Sequence, residues 1–107
     1  MIKGEIVLVE FPFTDLSGSK LRPALVLAEK KDDVLVAFIT SKAQNLDEED
    51  LLLIADERNR LKNDSRLRLF RMVTLRKKLV AGTIGYVSDT VLTKIDEKLL
   101  TIFKISK

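Results

Sequence analysis

The sequence predicts a mainly β (α+β) fold, a small antiparallel barrel or curled sheet closed by a C-terminal α-helix. Three observations carry that expectation. Short runs rich in Val, Ile and Leu recur between clusters of turn-forming and charged residues, which is the mark of strands. No alternation of strand and helix accompanies them, which argues against a parallel α/β sheet. Only the final stretch, from Ser88 onward, changes to the three- and four-residue apolar spacing of an amphipathic helix.

Glu5 to Phe11 is β-branched and aliphatic and ends at Pro12. Too short for a helix, it reads as a strand buried on both faces. Glu5 and Glu10 bracket the run and no small-residue cleavage site follows, so it is taken as a first strand rather than a secretion signal. Thr14 to Lys20 gathers turn formers around Gly18 and forms a loop long enough to serve as a lid or binding loop. Pro23 to Ala28 and Val34 to Thr40 are strand-like, and the polar stretch Lys30-Lys31-Asp32-Asp33 suits an antiparallel hairpin between them. Leu51 to Ile54 predicts a short fourth strand, and Arg58 to Asp64 an irregular, polar segment.

From Ser65 the pattern Arg66-Leu67-Arg68-Leu69 alternates with period two, putting both arginines on one face and both leucines on the other. Continued unbroken, it would turn Arg71 inward. A bulge or tight bend near Phe70 is therefore expected, with another strand over Met72 to Leu75. Gly82 and Gly85 punctuate a last strand around Thr83 to Val87. Ser88 then offers a capping oxygen, Asp89 complements the helix dipole, and Leu92, Ile95, Leu99, Ile102 and Phe103 recur on one helical face.

The 107 residues suit one domain spanning 1–107, and 46% hydrophobic with 33% charged residues is the balance of a folded globular protein. Apolar runs such as Val34 to Ile39 stop far short of the roughly 20 residues of a membrane-spanning helix, so no membrane association is expected. There is no cysteine, which excludes disulfide staples and thiolate metal sites and makes a cytoplasmic location the default expectation. There is no histidine either, which removes the commonest general base and every nucleophilic arrangement built on it.

The formal charge of +3 decides little, but its distribution is uneven. Asp47 to Glu57 holds six acids and no base, whereas Arg58 to Lys78 holds nine bases against Asp64 alone, a local net of +8. Arginine outnumbers lysine there by six to three, and its planar donor fork suits a phosphate backbone. A solvated surface neutralised by the preceding acids accounts equally well for the same run.

The segments GEIVLVEFPFTD, LRPALVL and AFITSK, separated by a Gly/Ser loop and a hairpin, resemble the N-terminal half of MazF/PemK toxins. The stretch NDSRLRLFRMVTLRKK resembles that family's second signature, with Ser65 opening a strand and Thr74 following nine residues later. The resemblance implies an SH3-like barrel that forms a homodimer and cleaves single-stranded RNA without metal or cofactor until a cognate antitoxin blocks it. It maps the family's catalytic arginine and threonine onto Arg22 and Thr40. Arg22 suits charge stabilisation, since donors aimed at developing charge lower barriers by about 3–4 kcal/mol. A guanidinium stays protonated and is a poor base. Phe13, Lys20, Ser41, Lys42, Ser65, Arg66, Arg68, Thr74 and Arg76 are the RNA-binding candidates that accompany them.

Without the resemblance, Arg22 reads as a strand-edge arginine paired with Glu10 or Asp15, and Thr40 as an ordinary β-former. The chain also departs from members that carry Thr-x-Asp at the later threonine: it has Thr74-Leu75-Arg76, a cation in place of a carboxylate. A second reading is a non-catalytic barrel of the same architecture, acting as a topoisomerase poison or a protein-binding module. A gyrase-poisoning relative would place a Trp near its C-terminus, whereas this chain has no Trp and ends Ile105-Ser106-Lys107.

Overall fold

A computed structural model describes residues 1–12 and 19–106, apart from the side chains of residues 11, 12 and 19. Six strands, β1 (Glu5–Pro12), β2 (Ser19–Lys30), β3 (Asp33–Thr40), β4 (Asp50–Leu53), β5 (Ser65–Arg76) and β6 (Val80–Tyr86), precede one helix, α1 (Asp89–Ile102). A short 3-10 turn, Lys77–Leu79, joins β5 to β6. All pairings are antiparallel, in the order β4-β5-β3-β2-β1-β6.

The mainly β, antiparallel chain ending in a helix is as expected. Closure into a barrel is not what the strand order shows, because β4 and β6 stand at opposite edges of the sheet. The sheet instead buries both of its faces. On one, Ile6, Leu25, Ala37, Ile39 and Leu67 pack with Ile95 and partly buried Leu92 and Leu99 of the helix. On the other, Val7, Val9, Ala24, Val26, Val34 and Val36 pack with Val73, Leu75 and Val80 from β5 and β6, so the sheet curls over itself. This explains why the central strands are apolar at consecutive positions rather than at alternate ones.

Strand β2 runs well beyond the Pro23–Ala28 expected. Its polar ends are made into strand by their partners, Lys20 opposite Phe11 and Glu29 opposite Val34, rather than by their own apolarity. Lys31 takes a left-handed φ of 54° in the predicted hairpin. Pro23 has a further consequence. Having no N–H, it cannot donate into a ladder; it pairs with Leu8 of β1, while the β2–β3 ladder stops at Ala24 and Phe38.

The expected irregularity in the later strand is present, but it interrupts one continuous β5. Ala37 pairs with Met72 and Phe38 with Arg68, leaving Leu69, Phe70 and Arg71 across a single step of β3. The phase changes there: Leu67 and Leu69 face the helix side, whereas Val73 and Leu75 face the second cluster. The bulge leaves Arg71 exposed.

At the helix start the Ser88 oxygen accepts the Val91 N–H at 3.3 Å, as its position predicts. Phe103 does not join the buried face; it forms the C-cap and is exposed, and after it Lys104 turns the chain at φ 55°. Among the described residues no helix is long and apolar enough to cross a membrane.

Candidate functional site

Where β2 and β3 cease to pair, a cleft of about 720 Å³ opens. Pro23 of β2, Ile39 of β3, Leu8 of β1 and Ile84 of β6 give it an apolar floor. Lys20 and Arg22 come from the start of β2, and Thr40 and Ser41 from the end of β3. Arg22 lies two residues before the last paired position of β2 and Thr40 two residues after its partner in β3, and both line the cleft. The hairpin geometry thus brings together two residues that lie eighteen positions apart in the chain.

The hydroxyl oxygen of Thr40 accepts the Lys42 N–H at 3.3 Å. A hydroxyl used as an acceptor still has its own proton to donate. Ser65, at the start of β5, is buried, lines the cleft, and donates to the Asn63 carbonyl at 2.8 Å. Its hydroxyl therefore fixes the entry to β5 first and can meet a ligand only as an acceptor.

The remaining wall is the segment between β4 and β5. Arg60, Leu61, Lys62 and Asn63 line the cleft, and the hydrogen bonds of their neighbours hold them there. The Asp56 carboxylate accepts the N–H groups of Arg58 (2.9 Å) and Asn59 (2.7 Å). Asn59, buried, accepts the N–H groups of Asp56 and Leu61 with its side-chain Oδ1, both at 3.0 Å, and donates from Nδ2 to the Ile54 carbonyl at 2.8 Å. Asp64 closes the base of the loop by accepting the Ala55 N–H at 2.8 Å.

Gly85 of β6 seats this loop on the sheet. A Cβ at that position would overlap the Arg58 carbonyl oxygen and lie 2.7 Å from the Asn59 carbonyl carbon. The Tyr86 N–H beside it donates to the Arg58 carbonyl at 3.0 Å.

Of the candidates read from the sequence, the cleft therefore gathers Lys20, Arg22, Thr40, Ser41 and Ser65. Lys42 sits next to it and contributes its backbone N–H to Thr40. Phe13 lies outside the described residues. Arg66 is across from Thr40 in the ladder, yet its guanidinium turns to the acidic loop, 3.6 Å from Asp50 and 3.4 Å from the Asn45 carbonyl. Arg68 pairs in register with Asp50 and lines a separate depression with Asp47 and Glu49.

Thr74 is exposed and opposite Leu35, and Arg76 is opposite Asp33, 3.7 Å from its carboxylate. Asp33 opens β3 and Thr40 ends it, so at about 3.3 Å per residue Arg76 is roughly 20 Å from the cleft along that strand. Neither belongs to it.

Arg60, Lys62, Asn63 and Thr83 were not singled out by sequence. The first two lie within the basic run, and the usable signal was the irregular Asp-x-x-Asn segment preceding it rather than the alternating strand.

Four cations and no carboxylate line the cleft among the described residues. The family model of PemK-like, MazF-like toxins of type II toxin-antitoxin systems matches residues 2–103. The chain belongs to this family. Comparison with curated proteins gives no match.

Among solved structures, this PemK/MazF-like chain is similar to an endoribonuclease in complex with its cognate antitoxin from a mycobacterial species. The TM-score is 0.75 at 15% identity, covering 100% of this chain and 98% of that one. Toxin MazF-mt6 of Mycobacterium tuberculosis is also similar, with TM-score 0.72 at 19% identity, covering 94% of this chain and 99% of that one. At such identities the likeness establishes a shared fold. Membership of the family rests on the match over residues 2–103.

Proposed function

We propose that this type II toxin is a metal-independent endoribonuclease that cleaves single-stranded RNA, mRNA included, in the cleft between β2 and β3. The single observation that carries the reading is the lining itself: Lys20, Arg22, Arg60 and Lys62 converge there with hydroxyls of Thr40 and Ser41 and without a carboxylate among the described residues. Such a lining attracts a polyanion and repels nothing in it.

The chain needs no nucleophile of its own, because RNA brings one. The ribose 2′-oxygen attacks the adjacent phosphorus, the bond to the 5′-oxygen breaks, and a 2′,3′-cyclic phosphate and a 5′-hydroxyl result. The 2′-proton is lost to solvent or to a cleft acceptor, and the departing 5′-oxygen gains one. Arg22 donates hydrogen bonds to the phosphoryl oxygens as their charge grows, and Thr40 adds its hydroxyl to the same group.

Outside the active cleft, the curled sheet is read as an SH3-like barrel left open at its edge strands, and the working form as a cytoplasmic homodimer neutralised by a cognate antitoxin. An acidic antitoxin segment would complement the cleft by charge.

The test is a gel assay with purified protein. Wild type should cut single-stranded RNA in the presence of EDTA and leave cyclic phosphate ends, and Arg22→Ala should lose at least about a hundredfold in kcat with an unchanged circular dichroism spectrum. Wild-type protein inert toward RNA at any concentration would overturn the reading in favour of a non-catalytic binding module or a topoisomerase poison.

A further inference from the structure

We infer that the loop at residues 55–64 is a pre-formed arm of the RNA site, and that Arg60 and Lys62 on it grip substrate phosphates flanking the one that reacts. The inference rests on the proposed RNA-cleaving function and adds to it the residues that hold the substrate.

Three independent features of the loop support it. First, it is built to hold its shape without a ligand. Asp56, Asn59 and Asp64 together satisfy five backbone N–H groups with side-chain oxygens, and Asn59 satisfies one carbonyl with its amide. An arm fixed beforehand loses little entropy when RNA arrives. Second, its position on the sheet depends on the absence of a side chain at Gly85, which lets the Arg58–Asn59 peptide lie directly against β6. Third, the cationic residues Arg60 and Lys62 that follow the buried Asn59 are exposed and line the same cleft as Lys20 and Arg22.

The division of labour follows from chemistry. Arg22 and Thr40 line the cleft from the start of β2 and the end of β3 and act on the group whose charge changes during reaction. Arg60 and Lys62 come from another wall, and a cation that meets a phosphate of constant charge binds the ground state and the transition state alike. Losing it raises KM and leaves kcat nearly intact. Contacts of this kind carry a salt dependence of about 0.7 in log K against log salt for each phosphate on a single strand.

Arg60 also offers a substitution that separates fold from function. Its backbone has φ 56°, in the left-handed region where glycine is at ease. Arg60→Gly therefore removes the guanidinium while relieving the backbone, and the variant should melt at the wild-type temperature or above it.

The experiment uses the full chain and a fluorescein-labelled single-stranded RNA that the wild type cuts, over a range of salt. Arg60→Gly combined with Lys62→Ala should raise KM about tenfold or more, keep kcat within about twofold of wild type, and flatten the salt slope by about 1.4. Arg60→Lys should recover part of the lost affinity. Anisotropy with the same RNA carrying a 2′-deoxy residue at the cut position should give a matching rise in Kd. If wild type cuts RNA and the double variant shows the same KM and the same slope, the inference falls while the cleavage reading stands. A kcat loss as large as that of Arg22→Ala would also overturn it, by placing these residues at the reacting group. If wild type cuts no RNA, both fall together.

Discussion

Two arginine-bearing regions of this molecule look alike in sequence and differ in their surroundings. In the cleft, Arg22 and Arg60 converge with two lysines and no acid among the described residues. On the far side of β5, Arg66, Arg68 and Arg71 meet Asp47, Glu49 and Asp50. There the acids that precede the basic run fold back onto it, because β4 pairs with β5 and sets Asp50 opposite Arg68. The local charge of +8 is thus split by topology. The neutralised-surface alternative describes the strand half of the run, and the proposed phosphate-binding role falls to the irregular half before it. A run of like charge in a sequence says what is available; strand pairing decides which part of it remains uncompensated.

The largest effect that sharpens this contrast is catalytic. Arg22→Ala should lower kcat by about a hundredfold or more, whereas Arg68→Met should leave kcat/KM within about twofold, since its neighbours already satisfy the field it creates. Steady-state cleavage of one RNA by both variants checks this, and equal losses would erase the distinction between the two regions.

Next in size is the seating of the loop. Gly85→Ala forces the Arg58–Asn59 peptide away from β6, and overpacking of this kind costs about 1–3 kcal/mol. Urea unfolding should show that loss, and KM should rise with it because Arg60 and Lys62 move. Unchanged stability would mean that the loop is free to give way, against the close approach at Gly85.

The arginine patch should respond in stability alone. The side chains of Arg66 and Asp50 are 15% and 4% exposed, and the Nε atoms of Arg66 and Arg68 have no hydrogen-bond partner among the described residues. Arg66→Met leaves the buried Asp50 carboxylate with the Asp47 N–H at 2.8 Å as its hydrogen-bond donor among the described residues, a loss of about 1–3 kcal/mol. Adding Asp50→Asn should recover part of it, since the orphaned charge goes too. A change in KM larger than the change in stability would return Arg66 to the RNA-binding set.

Much of this architecture was legible in the chain. The Arg66 to Leu69 alternation and the break near Phe70 both appear where expected, because a period of two cannot carry Arg71 into a core. The Ser88 cap and the Ile95 face were equally readable, since both are local. What could not be read was the range of β2, whose polar ends are strand only because other strands pair with them, and the fate of Phe103, which depends on where α1 ends. For the site, Arg22 and Thr40 were reached through resemblance. Their juxtaposition is a matter of hairpin register and of the donor missing at Pro23. Arg60 and Lys62 were hidden because their position depends on a contact between the segment around Asn59 and a glycine more than twenty residues away.

The smallest expected effect lies at a third charged cluster, where ionic contacts form in the open. The Glu29 carboxylate accepts from Lys77 at 2.7 Å and from the N-terminal amine of Met1 at 3.1 Å. The Lys77 hydrogen bond first, and that of the amine second, hold its pKa below the ordinary 4.5. A carboxyl whose pKa is lower in the folded chain than in the unfolded one stabilises the fold above the unfolded value, and that contribution is lost as pH falls through the folded one. Glu29→Gln should therefore lower Tm slightly at about pH 6 and by less as the pH approaches about 2. The Glu29 carboxylate is exposed, so about 0.5 M salt should shrink the difference further. The same salt should leave the Arg66→Met loss nearly unchanged, because Asp50 is buried. Thermal melts of the two variants at two pH values and two salt concentrations would separate exposed pairing from buried pairing. If salt removed both differences equally, the patch beside β4 would be as open as the cluster at Glu29, and its contrast with the cleft would rest on charge alone.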